Sequence, residues 1–326
     1  MAREMMYGDA IAAAIIEEME RDENVIFYGQ NMAMTERDPM LKKFGNSRVR
    51  LAPISETAET GIAIGAALTG LRPIVELWMS EFMLVAFDQI INEAPRLRYM
   101  SGGQVTVPVV FKAGYGFAAG WAGQHSNCIY HSLMGIPGLK VVVPSNPADA
   151  KGLMASAIRD DNPVVYLHSY MLTLEKGQVP EGEFLVPLGS AEVKRSGTDV
   201  TVVAVGWMVK KALAAAEQLA PQGISAEVID PRTLAPLDLE TIIASLKKTG
   251  RLVLVDQAPR HSSAAAVIAA EVSERGFEYL RAPVRMVTAL DTPVPYSAPL
   301  ENYILPNEDK IVHAVKTMLA NQAVAA

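Results

Sequence analysis

The sequence predicts an α/β chain made of two doubly wound domains, each with a mostly parallel sheet covered by helices on both faces. Three observations carry this. Short runs that are apolar throughout alternate with helix-length amphipathic stretches, and strands without a polar face need cover on both sides. The alternation breaks at 171–198, where Pro180, Glu181, Gly182, Glu183 and Pro187 interrupt every period, and then restarts. The 326 residues are enough for about two domains.

In chain order, DAIAAAIIEEMER at 9–21 puts Ile11, Ala14, Ile15 and Met19 on one face, opposite its acids, and predicts a helix. VIFYG at 25–29 predicts a buried strand. TAETGIAIGAALTG at 57–70 predicts a buried helix, PIVELW at 73–78 a strand, and 80–100 a long helix kinked at Pro95. A strand at 107–112, a glycine-rich loop to Gly123, a strand at 139–144, a helix at 147–159 and a strand at 163–168 follow. Past the break, strands are predicted at 200–206, 225–230, 251–256 and 284–289. Helices are predicted at 208–220, 238–248 and 263–275.

Composition narrows the function. With 29 Lys and Arg against 36 Asp and Glu, the net charge is −7, the wrong sign for a phosphate-tracking surface. A single cysteine, Cys128, excludes an intramolecular disulfide and a thiolate-rich zinc site. No run approaches the ~18 apolar residues of a membrane span, and the N-terminus has no signal-peptide pattern, so a cytoplasmic protein is expected. Half the residues fall in the apolar and aromatic set and only 20% are charged. This surplus points either to large cores or to surface covered by another chain.

Each candidate group has an ordinary role and a functional one. Gly114, Gly116 and Ala119 match the spacing of a dinucleotide fingerprint, but more glycines follow, and the next strand ends at Pro144 and Ser145 without the required acid. Close backbone approach explains them better. Gly61, Gly65 and Gly70 inside a helix cost roughly 1 kcal/mol each relative to alanine, which close packing would offset, the facing helix belonging to this chain or to another subunit. Glu56 and Glu59, where a strand gives way to a helix, answer the helix dipole or serve proton transfer at a ligand-binding strand end. His131, His168, His261 and His313 fit no metal-ligand spacing, and His125 stands out by lying in the glycine loop. The chain has no GxSxG elbow and no P-loop.

PISE at 53–56, LRPIVE at 71–76, FDQIINEAPRLRYMSGGQ at 87–104, GQHSN at 123–127, GIPGLKVVVPSNPADAKGL at 135–153 and AIRDDNPVVY at 157–166 together resemble one family. So do VIDPRTLAPLD at 228–238, TGRLVLVDQAP at 249–259 and TPVPYSAPLENYILP at 292–306. The family is the beta subunit of the thiamine-diphosphate-dependent dehydrogenase component of 2-oxo acid and acetoin dehydrogenase complexes. The resemblance implies a pyrimidine-binding transketolase-like domain over 1–175, a linker over 176–198 and a transketolase C-terminal-like domain over 199–326. It also implies a heterotetramer of two alpha and two beta chains, active only with alpha, and a lipoyl acyltransferase core as the next partner.

On this resemblance Glu56 hydrogen-bonds the cofactor's pyrimidine ring and promotes the imino tautomer that takes the thiazolium proton. Phe82 packs on the pyrimidine. His125 acts in proton transfer and in passing the acyl unit to lipoamide. The reaction yields a hydroxyalkyl-thiamine intermediate. The backbone carbonyls of Val109, Ala157, Asp160 and Asn162 match a potassium site. Magnesium and the diphosphate fall to the alpha subunit, because the nearest diphosphate-like string, Gly8, Asp9, Ala10 and then Asn31, lacks its third glycine and sits in an amphipathic helix.

The chain also departs from the family. GQNMAMTERDPM at 29–40 is short and has Gln30 and Asn31 where relatives carry an acidic pair, and Gly135 stands where many have a second histidine. VDQAPRHSSAAAVIAAEV at 255–272 is more like the acetoin branch than the pyruvate-specific one, which tilts the substrate toward acetoin. Pyruvate and branched-chain 2-oxo acids are the alternatives. A catalytically retired assembly subunit is the alternative of another class, and a self-sufficient transketolase-like enzyme is disfavoured by the missing diphosphate motif.

Overall fold

A computed structural model describes residues 2–30, 34–116 and 120–323. They form two compact units: the chain up to Tyr115 with Ser132–Leu188, and Gly116–His131 with Gly189 onward.

The first unit contains β1 (Ala2–Met6), α1 (Tyr7–Arg21), β2 (Val25–Gly29), α2 (Met34–Arg48, broken at Gly45), β3 (Val49–Leu51), α3 (Glu56–Leu68) and β4 (Arg72–Leu77). After these come α4 (Ala94–Met100), β5 (Val110–Tyr115), then α5 (Tyr130–Met134), which begins in the second unit's segment, β6 (Lys140–Val142), α6 (Pro147–Arg159), β7 (Val164–Ser169) and β8 (Lys176–Pro180). Six strands pair in the order β6-β7-β5-β4-β2-β3, all parallel, and β1 pairs antiparallel with β8. The five residues of β2 are buried or nearly so, as a strand covered on both faces requires. α1 turns Tyr7, Ala10, Ile11, Ala14, Ile15 and Met19 inward and lies along α6. Glu18, buried on α1, takes a two-pronged contact from Arg159 at 2.7–3.0 Å. α6 starts where Asn146 accepts the Asp149 N–H at 3.0 Å and Pro147 opens the first turn.

The second unit contains β9 (Glu192–Arg195), β10 (Val200–Ala204), α7 (Met208–Leu219), β11 (Ala226–Asp230), β12 (Thr233–Ala235), α8 (Leu239–Thr249), β13 (Leu252–Pro259), α9 (Ala264–Arg275), β14 (Arg285–Ala289), α10 (Ala298–Ile304) and α11 (Glu308–Ala323). Its sheet runs β14-β13-β10-β11-β9, parallel except for the edge strand β9. Its apolar residues divide into two clusters. One joins Val200, Val202 and Val253 to α7 and α11, and the other joins Val203, Ile229 and Leu254 to α8 and α9. α8 is capped by Asp238, which accepts the Thr241 N–H at 3.0 Å, and ends at a left-handed Gly250.

The two-domain α/β class is as expected, and several details differ. The stretch expected as a linker, 176–198, carries β8 and β9: its prolines and glycines mark turns between edge strands, and backbone pairing is insensitive to the missing period. Residues 116–131 go with the second unit although they fall within 1–175. The long helix expected over 80–100 is a 3-10 turn (80–86), a π turn (89–93) and then α4, so Pro95 lies in a helix's first turn instead of kinking its middle.

Candidate functional site

In an open parallel sheet, ligands bind outside the carboxyl ends of the strands, where strand order reverses direction. Here β3 lies on one side of β2 and β4 on the other, so the reversal falls between β2 and β4. A cavity of about 360 Å³ lies there, lined by Gln30 just past β2, Ile54 between β3 and α3, Glu56 at the start of α3, and Trp78, Met79 and Phe82 just past β4.

Glu56 opens α3 and is 7% exposed. The helix start has no side-chain cap from Ser55. Instead Glu59 folds back one turn, and its Oε1 accepts the Ser55 N–H at 3.0 Å. Burial, with Glu56 close by, pushes the Glu59 carboxyl above its ordinary pKa, while the Ser55 N–H and the nearby Gln30 amide pull it back. Thr57 joins α3 to the turn carrying Phe82, its Oγ1 donating to the Val85 carbonyl at 2.9 Å. Thus the carboxyl and the aromatic ring are set by one small hydrogen-bonded frame.

The polar groups of this wall are incompletely used. Among the described residues, the buried Trp78 Nε1 has no acceptor at hydrogen-bond distance, whereas the Gln30 amide lies beside the Glu59 carboxyl and draws its pKa down. An unmet buried donor costs about 1–3 kcal/mol, so Trp78 stands out on this wall. An aminopyrimidine fits the lining: a flat face for Phe82 and a ring nitrogen able to share a proton with Glu56.

The structure therefore brings Glu56 and Phe82 together. His125, half-buried, belongs to the second unit's segment and is not among the residues lining this cavity. Within that unit its loop is tied by Tyr130, whose phenol donates to Asp256, by Asn127 donating to the Gly123 carbonyl at 2.8 Å, and by Gln257 donating to Cys128 Sγ at 3.0 Å. Asn31 and Ala119 lie outside the described residues. Ala157, Asp160 and Asn162 lie at and after the end of α6 and Val109 just ahead of β5; the Val109 carbonyl accepts from Val164 and the Ala157 carbonyl from Asp160. Arg72 donates to the Ile158 and Asp160 carbonyls there, both at 3.1 Å. Among the described residues no group of three or more His, Cys, Asp and Glu is arranged to hold a metal.

Sequence reading missed Trp78 and Met79 as site residues. The available signal was their place directly after a buried strand. His168 is half-buried on β7, with its Nδ1 inside, and desolvation together with the Lys112 charge drives its pKa well below the ordinary histidine value. Among the described residues no helix is long and apolar enough to cross a membrane.

Residues 3–173 match the transketolase pyrimidine binding domain, and 189–311 the transketolase C-terminal domain. The chain is 44% identical to the beta subunit of the acetoin:2,6-dichlorophenolindophenol oxidoreductase of Bacillus subtilis, over 99% of each. It is also 44% identical to the pyruvate dehydrogenase E1 component subunit beta of Rhizobium meliloti, over 96% of this chain and 70% of that one. A solved structure described as a split gene transketolase, inactive beta4 tetramer, shares the fold with a TM-score of 0.80 at 23% identity, over 96% of this chain and 97% of that one.

Proposed function

This chain belongs to the transketolase-like family of acetoin and pyruvate dehydrogenase beta subunits, and from that premise we propose that it supplies the pyrimidine half of a thiamine-diphosphate site completed by an alpha subunit. The observation that carries the proposal is the cavity at the reversal point, where a buried carboxyl and an aromatic side chain meet at the strand ends.

When bound, thiamine diphosphate supplies the carbanion chemistry that breaks a carbon–carbon bond beside a carbonyl. Glu56 holds the proton at the pyrimidine ring nitrogen. Phe82 fixes the plane of the ring. Gln30 and Trp78 close the wall around the ring, Gln30 beside the Glu59 carboxyl, and help to exclude water from it. His125 moves protons at the reacting end and assists acyl passage to lipoamide on an acyltransferase core. Magnesium and the diphosphate belong to the alpha chain, and potassium sits at the backbone carbonyls of Val109, Ala157, Asp160 and Asn162.

The substrate is acetoin, with pyruvate or a branched 2-oxo acid as the alternative. The 255–272 segment, which is more like the acetoin branch, supports acetoin. The alpha partner, in a complex of two alpha and two beta chains, covers the outward face of α3. Gly65 has no neighbour within 4 Å of where a Cβ would stand, Gly61 touches only the Gln89 side chain at that limit, and Ile62 is 63% exposed.

Coexpression with the alpha chain and measurement of artificial-acceptor reduction with acetoin, pyruvate and branched 2-oxo acids tests this. Glu56→Ala is expected to lose roughly 100- to 10,000-fold in turnover. Full activity in that variant would sink the assignment. The Gln30 and Gly135 departures favour one other reading, a retired assembly subunit, and it predicts a complex that assembles without stabilisation by thiamine diphosphate.

A further inference from the structure

The first glycine of the run after β5 has a use that lies across three neighbouring strands. β7, β5 and β4 are adjacent and parallel, with Gly114 paired to His168 and Ala113 to Leu77. Tyr170 follows the end of β7, and its ring passes over Gly114, where a Cβ would meet Cε1 and Cζ at 2.2 Å. Having crossed the middle strand, the phenol lies beside the backbone N–H of Met79, just beyond β4, and that N–H draws the phenol's pKa down. Burial, with Glu81 and Glu76 close by, keeps that phenol protonated.

Met79 needs such a hold. It stands at φ 74, ψ 132, a region that residues with a side chain occupy only when their surroundings enforce it. Its carbonyl accepts the Phe82 N–H at 3.2 Å, so the same turn sets the ring that lines the cavity. We infer that Tyr170 is a positioning residue for the cofactor: reaching over Gly114, it holds Met79 in the strained turn that presents Trp78 and Phe82 to the aminopyrimidine. This rests on the function proposed above and adds to it a residue from the far side of the central strand. A smaller side chain at 170 would leave the turn free to relax, and a larger residue at 114 would lift the ring off it.

The test uses the complex with the alpha chain, titrated with thiamine diphosphate and magnesium, with tryptophan fluorescence reporting cofactor binding and kcat measured in parallel. Tyr170→Phe is expected to weaken cofactor binding roughly tenfold, because the Met79 N–H loses the oxygen that lies beside it. Gly114→Ala is expected to reproduce that loss by displacing the ring. In a Met79→Gly background, where the residue adopts this φ unaided, Tyr170→Phe is expected to cost under about threefold. Unchanged binding in Tyr170→Phe overturns the inference. An equal loss in both backgrounds overturns it too, since the phenol would then act elsewhere than through Met79. A parent complex that binds no cofactor overturns the proposed function itself, and that control is read before any variant.

Discussion

The two parallel sheets both bury ionisable side chains, and they answer them differently. The first places charged and ionisable groups on three adjacent strands: Glu76 on β4, Lys112 directly opposite it on β5, and His168 on β7. Lys112 and Glu76 are ion-paired in the interior, with Lys112 wholly buried. The second sheet buries acids, Glu227 and Asp230 on β11 and Asp256 on β13, with Lys248 of α8 paired to Glu227 and with Tyr130 and backbone N–H groups donating to Asp256, and beside them lies a neutral knot in which Thr201 on β10 meets Ser245 and Thr249 of α8 at 2.6 and 2.7 Å. Buried charge is costly unless paired, whereas a hydroxyl knot closes on itself. The contrast is one of pairing: the first sheet sets a cation against an acid strand to strand, and the second leaves its acids to a helix lysine, a phenol and backbone N–H groups, next to a knot that is neutral throughout.

The largest effect should come from breaking the charged pair. Lys112→Met leaves Glu76 buried without its cation and is expected to cost about 3–5 kcal/mol of unfolding free energy. Adding Glu76→Leu should recover most of that loss, because two apolar side chains of similar volume need no partner. Equilibrium urea unfolding measures both. A Lys112→Met loss no larger than that of a second-sheet hydroxyl variant would erase the contrast.

Next is the response to pH. His168 has a folded pKa well below the ordinary value, so the folded state binds fewer protons than the unfolded chain. Its share of stability is therefore fully present above about pH 6.5 and falls as the pH drops below that, by up to about 1.4 kcal/mol per unit. The cause is burial first and the Lys112 charge second. His131 in the second unit is also lowered, by burial, and adds to the same slope. His168→Gln should flatten the decline of melting temperature between pH 7.5 and 5.5. If the slope is unchanged, His168 is not the group that titrates.

The contrast also shows what sequence could convey. The αβ rhythm was legible because strands buried on both faces leave a run of apolar letters, and VIFYG at 25–29 is β2 to the residue. Glu56 and Phe82 could be named because they sit inside strings that resemble a family. β8 and β9 were not legible, since edge strands pair through backbone atoms and their side chains carry no period. Tyr170 and Met79 were not legible either. They are 91 positions apart in the chain (170 − 79), and their link depends on a glycine's missing Cβ and on a backbone angle. Gly114 was visible, and its spacing suggested a phosphate loop, when the space it leaves is taken by a side chain of this same chain.

The smallest effect should come from the knot itself. Thr201→Val keeps the shape and β-branching that suit β10 and removes one hydroxyl. The two partners left behind are not stranded. Ser245 still reaches Glu227, and Thr249 still reaches the Arg251 carbonyl at 3.3 Å. With alternatives in place, the cost should fall near about 1 kcal/mol, the ordinary net worth of a hydrogen bond. A double variant, Thr201→Val with Thr249→Val, removes the alternative along with the bond and should cost little more than either single change, because the two hydroxyls serve each other. Urea midpoints of the three variants decide it. A double loss equal to the sum of the singles would mean that the hydroxyls act independently, and the second sheet would then be as finely dependent on its polar interior as the first.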